Sequence, residues 1–212
     1  MLQTLGLVKE NHIKKIVMNE EITEQIIDGS TKQITETMRL IVQNTNYNEL
    51  YQFFCEDDSK ENEKSRIKYF EVDKFPDGVF MVFRDDNSVD CFICELKKTP
   101  TNKLKQLKEQ LFSGYIHSKS ILSILLENFA DYQINYHYHV YLINDNSLIL
   151  EYNQKNPKKI IPGKAITPTS DYELWKVNKA VYKKDNYVFE MNLQKITMES
   201  ENNLDYSARL CF

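Results

Sequence analysis

Residues 75–99 read FPDGVFMVFRDDNSVDCFICELKKT, and the reading of this stretch decides the fold. Two β-rich runs, 79–83 and 89–96, flank Arg84-Asp85-Asp86-Asn87-Ser88. Valine, phenylalanine and isoleucine suit a pleated, half-buried surface, and an Asp-Asp-Asn-Ser run is turn chemistry. The stretch therefore predicts a β-hairpin. Its ends carry charges that a bare hairpin does not need: Asp77 before the first strand, Glu95 and Lys97 late in the second.

Side chains on a strand alternate faces with period two. Val89, Cys91, Ile93, Glu95 and Lys97 share one face of the second strand; Asp90, Phe92, Cys94 and Leu96 share the other. A strand apolar on both faces is usually buried on both sides. A carboxylate and an ammonium there are costly unless they are paired or bind a metal. Asp77, at the start of the neighbouring strand, can reach the Glu95–Lys97 face, whereas Asp90 points away from it.

Pro76-Asp77, followed after a hairpin by Glu95-Leu96-Lys97, resembles the motif of the PD-(D/E)xK nuclease superfamily, the restriction-endonuclease-like proteins. The resemblance spans about residues 30–150 in element order, with only the hairpin specific. It implies an α/β fold with a restriction-endonuclease-like core, a central mixed β-sheet flanked by helices. It also implies that Asp77 and Glu95 are ligands of Mg²⁺ or Mn²⁺, that the Leu96 backbone carbonyl faces the same ion, and that Lys97 orients or activates water. The residue types suit that chemistry. Mg²⁺ takes oxygen ligands and keeps several waters, so one or two carboxylates plus phosphate oxygens suffice. The ion polarises the phosphoryl group and positions water, and an adjacent lysine stabilises developing negative charge. The bland reading of the same residues is a solvated charge pair at a strand end.

The family often adds a third acid from a helix before the hairpin. Glu36 and Glu49 are the candidates, with Glu49 preferred because Glu36 sits off the apolar face of its expected helix. Some exonuclease members carry Q-x-x-x-Y on the helix after the motif; Gln110 and Tyr115 are one residue too far apart for it.

The chain has 212 residues, 42% hydrophobic and 27% charged, the profile of an ordinary globular domain. No apolar run approaches a membrane span, and the first residues lack a signal-peptide core, so a cytoplasmic protein without membrane contact is expected. A net charge of −4 excludes a protein coated in basic surface, so nucleic-acid contact must be local. Lysines do gather after the motif: six against one acid over residues 97–119, and eight against two acids over 155–184. Solvated helix faces explain such runs equally well. Four scattered cysteines make no disulfide scaffold. Cys91-x-x-Cys94 falls within a strand on opposite faces rather than in a turn. His137 and His139 share a face of a later strand, but no third metal ligand follows them at useful spacing.

In chain order, residues 13–18 suit a short strand or a helix start, 20–27 a helix, and 30–44 a second helix behind a Ser30–Gln33 capping box. Its apolar face would carry Ile34, Met38, Ile41 and Val42. A short helix follows to residue 54, then an acidic loop at 56–63 and a strand at 66–72. After the hairpin, Thr101 or Asn102 can cap a long helix with the stripe Leu104, Leu107, Leu111, Tyr115, Ser118, Leu122, Leu125 and Phe129. Lys103, Gln106, Gln110, Ser113 and His117 run beside it. Strands are predicted at 134–143 and 147–152, a lysine-bearing loop at 153–168, a helix at 172–182 with Trp175, and a strand at 187–193. The last residues are apolar enough to dock.

The expected organisation is a nuclease-like core with N-terminal helices over 1–152 and a C-terminal extension, 153–212, packed on the same domain. The expected function is metal-dependent hydrolysis of phosphodiester bonds in DNA, ahead of RNA, in restriction, phage defence or repair. Lys98, Lys103, Gln106 and Gln110 are the candidate substrate contacts. Cutting both strands of a duplex usually takes two sites, which favours a homodimer. The competing reading is an inactive member of the fold that binds nucleic acid or a protein partner. A third is an enzyme of another class that merely ends a hairpin in E-x-K.

Overall fold

The computed structural model describes residues 12–46, 48–55, 74–99, 104–145 and 170–212. Its centre is the expected hairpin. Strand β5 (Gly78–Phe83) and strand β6 (Ser88–Lys97) pair antiparallel from Gly78↔Cys94 to Phe83↔Val89. The turn closes through Asn87 at φ 59°, a left-handed conformation that Asn tolerates. Asp86 Oδ1 accepts from the Ser88 N–H at 3.0 Å and from its hydroxyl at 2.6 Å.

Every residue of β5 is buried, because layers cover both faces of the hairpin. On one face lies helix α1 (Leu104–Leu125), whose Leu107, Leu111, Leu122 and Leu125 join Val79, Met81, Val89, Cys91 and Ile93 in one core. On the other face Phe80, Val82, Cys94 and Leu96 pack with Met38, Leu40 and Val42 of a second sheet. Burying each such Leu, Val or Phe side chain contributes about 1.5–3 kcal/mol.

The larger sheet has seven strands in the order β1-β4-β5-β6-β7-β9-β8. Its remaining strands are β1 (Ile13–Lys15), β4 (Glu49–Phe53), β7 (Gln133–Leu142), β8 (Lys179–Lys184) and β9 (Tyr187–Thr197). β7 runs parallel to β6 after the α1 crossover, and β9 is parallel to β7. The smaller sheet is ordered β10-β11-β3-β2, from β2 (Asn19–Ile27), β3 (Ile34–Gln43), β10 (Glu199–Ser200) and β11 (Asp205–Cys211). Here β11 is parallel to β3. The protein is thus mixed α/β, with two mixed sheets and few helices. Helix α2 (Ser170–Lys176) packs through Trp175 on the α1 side. No helix among the described residues is long and apolar enough to cross a membrane.

Several expectations are corrected. Residues 20–27 and 30–44 form β2 and β3, not helices, and β4 replaces the short helix ending at 54. Helices therefore cover one face of the large sheet, and a second sheet covers the other. Residues 172–182 split: α2 stops at Lys176, Asn178 turns at φ 57°, and β8 begins. α1 stops at Leu125, and Phe129 sits in a 3₁₀ turn that still packs on the core. The strands expected at 66–72 and 147–152, the acidic loop at 56–63, the helix cap at 101–102 and the loop at 153–168 lie outside the described residues.

Candidate active site

The β5–β6 register sets the site. Because Gly78 pairs with Cys94, the preceding residue Asp77 falls beside Glu95. Two hydrogen bonds then lock the strands reciprocally. The Asp77 N–H donates to Glu95 Oε2 at 3.2 Å, and the Leu96 N–H donates to Asp77 Oδ2 at 2.6 Å. Lys97 reaches back along its own strand face, and its ammonium pairs with Glu95 Oε1. The structure therefore brings Asp77, Glu95 and Lys97 together. It also holds the Leu96 peptide against Asp77, with the Leu96 side chain buried between the sheets.

The Glu95 side chain is fully buried, and that of Lys97 is 14% exposed. Burial pushes the Glu95 carboxyl well above the usual carboxylate range; the Asp77 charge adds to this, and Lys97 opposes it. Burial alone would lower Lys97, but Glu95, Asp77 and Glu24 outweigh it and hold the ammonium above its ordinary value. Lys97 is therefore a cation and hydrogen-bond donor at neutral pH, not a proton acceptor.

Helix α1 fixes the approach to Asp77. Gln110 is buried and donates from Nε2 to the Phe75 carbonyl at 2.9 Å. One turn on, Gly114 leaves no room for a side chain: an added Cβ would meet Ile93 Cγ2 at 2.6 Å and Pro76 Cγ at 3.0 Å. The Phe75-Pro76-Asp77 segment is thus wedged between α1 and β6. Gln110 anchors this segment from the interior rather than standing at the surface. Gln106 is half-buried on α1. Lys98 is exposed and holds Glu36 of β3, its Nζ 2.6 Å from Oε2. Lys103 lies outside the described residues.

The two candidates for a third acid part company. Glu49 pairs with Phe83, at the opposite end of β5 from Asp77, and accepts from Lys15 Nζ at 2.6 Å and the Tyr51 hydroxyl at 2.7 Å. Glu36, through Lys98, lies near the end of β6 that carries the site. Sequence reasoning passed over Glu24, on β2, whose charge reaches Lys97. The missed signal was a period-two pattern, Ile22-Glu24-Ile26, hidden inside a stretch read as helix.

The cysteine and histidine pairs serve packing. Cys91 and Cys94 are buried on opposite faces of β6, and burial raises the Cys91 thiol to about 12. His137 stacks on Phe92 with ring centroids 4.5 Å apart, and buried His139 meets the same ring edge-on at 5.4 Å.

Among the described residues, no group of three or more His, Cys, Asp or Glu side chains could hold a metal ion. The set to test against Mg²⁺ or Mn²⁺ is therefore Asp77 and Glu95. Two acids share one ammonium, so an added cation has charge to compensate; the Glu95 carboxyl is lifted first by burial and then by Asp77. Hard oxygen donors with uncompensated charge suit a divalent ion that keeps most of its waters, so the residues fit. Comparison with models of known families, with characterised proteins and with solved structures finds no match to this chain.

Proposed function

We propose that this protein is a metal-dependent phosphodiesterase acting on DNA, built on a restriction-endonuclease-like variant of the α/β fold. The observation that carries this reading is the Asp77–Glu95 pair, locked at the open end of two buried strands with Lys97 alongside. A fold does not bury an acid, a second acid and an ammonium together for stability: such groups are on balance neutral or unfavourable against apolar replacements. Perturbed carboxylates of this kind concentrate at functional sites.

In this reading Asp77 and Glu95 hold Mg²⁺ or Mn²⁺. The bound ion supplies Lewis-acid polarisation of the phosphoryl group and lowers the pKa of a water. The chain's own residues do the rest. Lys97, kept protonated by its acidic neighbours, donates toward the anionic phosphoryl oxygens and the incoming water and offsets charge as it develops. The Leu96 N–H holds the Asp77 carboxylate and Gln110 anchors the Phe75 carbonyl two residues before it, so little reorganisation is needed on substrate binding.

A second reading, a nuclease-fold module that binds without cutting, draws on the same contact: the Lys97 ammonium already neutralises one oxygen of Glu95. Incubation with linear, circular and single-stranded DNA, with Mn²⁺ and with EDTA, separates the two. Cleavage that needs Mn²⁺ and disappears in Glu95→Gln supports the hydrolase. Binding without cleavage, indifferent to EDTA, supports the module. Cleavage that persists in a Glu95→Gln/Lys97→Met double variant removes the assignment.

A further inference from the structure

Beside the Asp77–Glu95 pair lies a cleft of about 310 Å³, bounded by β2 of the smaller sheet and by β4 and β5 of the larger. Its walls are tightly set. Ile22 Cδ1 occupies the space of a Gly78 Cβ, which would lie 2.4 Å away, so β2 and β5 meet as closely as side chains allow. Glu24 is exposed on the β2 wall, Phe54 is half-buried beyond β4, and Asp77 closes the side toward the site. Among the described residues, no lysine, arginine or histidine lines the cleft.

Gln52 is one of the groups the fold leaves unsatisfied, and the one that faces the cleft. It lines the cleft, is only 7% exposed, and its Oε1 has no hydrogen-bond partner among the described residues. An unsatisfied buried polar atom costs about 1–3 kcal/mol, which an occupant bringing a donor would recover. The lining thus offers acceptors: the Glu24 carboxylate, the Asp77 carboxylate and the Gln52 carbonyl oxygen. Such a lining repels a phosphate and selects a neutral, donor-rich group.

We propose that this cleft is a base subsite for the strand being cut, and that it takes one unstacked guanine. The inference rests on the nuclease reading above for its substrate class. Guanine alone among the DNA bases places two donors, N1–H and an N2 hydrogen, side by side on its Watson–Crick edge. They match the two oxygens of Glu24, and the second N2 hydrogen remains for Gln52 Oε1. Adenine and cytosine bring one amino group, and thymine one imino group. Unstacked bases are read on this edge with an aromatic surface against the ring, and Phe54 lines the same cleft. The volume suits a base and not a folded oligonucleotide.

The test uses the full chain in two arms. In EDTA, calorimetric titration compares deoxyguanosine with deoxyinosine (deoxyguanosine lacking the N2 amino group), deoxyadenosine, deoxycytidine and thymidine, on wild type, Glu24→Gln and Gln52→Leu. Deoxyguanosine should bind at least tenfold more tightly than the others, and each variant should lose that margin. Gln52→Leu removes a carbonyl oxygen that has no partner among the described residues, and a urea midpoint at or above wild type shows that loss of binding there is not loss of fold. In Mn²⁺, cut sites are mapped on single-stranded thymine runs carrying one guanine. Cuts should cluster beside the guanine in wild type and scatter in Gln52→Leu while cleavage continues; Glu24→Gln, whose charge also reaches Lys97, is read in the binding arm. Equal binding of all nucleosides, or variants that bind as wild type does, overturns the subsite. DNA cut with no guanine preference removes the subsite and leaves the hydrolase; selective guanosine binding with no cleavage of any DNA removes the hydrolase and leaves the subsite.

Discussion

Glu95→Gln is predicted to leave the fold at least as stable as wild type while abolishing Mn²⁺-dependent cleavage. The Glu95 carboxyl is raised in the folded state, chiefly by burial and then by Asp77. As pH rises above the ordinary carboxylate range, the unfolded chain loses this proton before the folded chain does. The folded state then binds more protons, and stability falls with pH. At neutral pH the acid therefore detracts from stability, and an uncharged isostere removes the penalty. Replacing a buried ion pair by neutral groups is neutral or gains about 1–4 kcal/mol, and removing one partner costs about 3–5 kcal/mol only where it strands the other charge. Against this, Glu95 accepts from both Lys97 and the Asp77 N–H, and a Gln carbonyl serves one of them; the shortfall costs about 1 kcal/mol. Lys97 keeps Asp77 as a counter-charge. The balance is about 0 to 3 kcal/mol in favour of the variant, or up to about 10 °C in thermal midpoint at this chain length. Thermal and urea unfolding in EDTA measure it, and the same preparation is assayed for DNA cleavage with Mn²⁺. A variant less stable than wild type by more than about 3 kcal/mol would make Glu95 a structural staple and refute the reasoning.

Other perturbations probe the surroundings. Gly114→Ala gains about 1 kcal/mol of helix propensity but forces its Cβ against Ile93 and Pro76, an overpacking cost of about 1–3 kcal/mol. Urea unfolding should show a net loss of up to about 2 kcal/mol, with a larger proportional fall in kcat because Pro76 carries Asp77; unchanged cleavage would argue against the wedge. Burial, then the neighbouring His137, lowers His139 to about 4. The unfolded chain takes up this proton near pH 6.5 and the folded chain only near 4, so stability falls with acid across that window. The contribution is about 2 kcal/mol between pH 7 and pH 5, and His139→Gln should flatten that part of a urea-midpoint profile; an unaltered profile would reject the assignment. Lys98→Ala should weaken binding to an uncleavable DNA by less than threefold, since Lys98 is already held by Glu36; a loss beyond tenfold would make it a substrate contact.

The hairpin was legible because its signals are local. Turn residues sit between two apolar runs, and strand parity alone put Glu95 and Lys97 on one face within reach of Asp77. Helix α1 was legible from one long stripe. β2 and β3 were not. Ile34, Met38, Ile41 and Val42 recur at helical spacing, yet Met38, Leu40 and Val42, at spacing two, are the residues buried at 0% exposure. What decides between these patterns is pairing: β3 is flanked by β2 and by β11, where Met38 meets Tyr206 from the far end of the chain. No local window contains that partner. The same misreading hid Glu24, and Gln52 was lost in a segment read as a short helix. The Asn178 turn could have been found, since Asn readily ends a helix in the left-handed conformation.

The most direct test of the account is a crystal soaked in Mn²⁺ and measured for anomalous scattering. The account predicts one strong peak coordinated by carboxylate oxygens of both Asp77 and Glu95, absent in Glu95→Gln. A peak elsewhere with that pair left empty, at Mn²⁺ concentrations that support DNA cleavage, would contradict it.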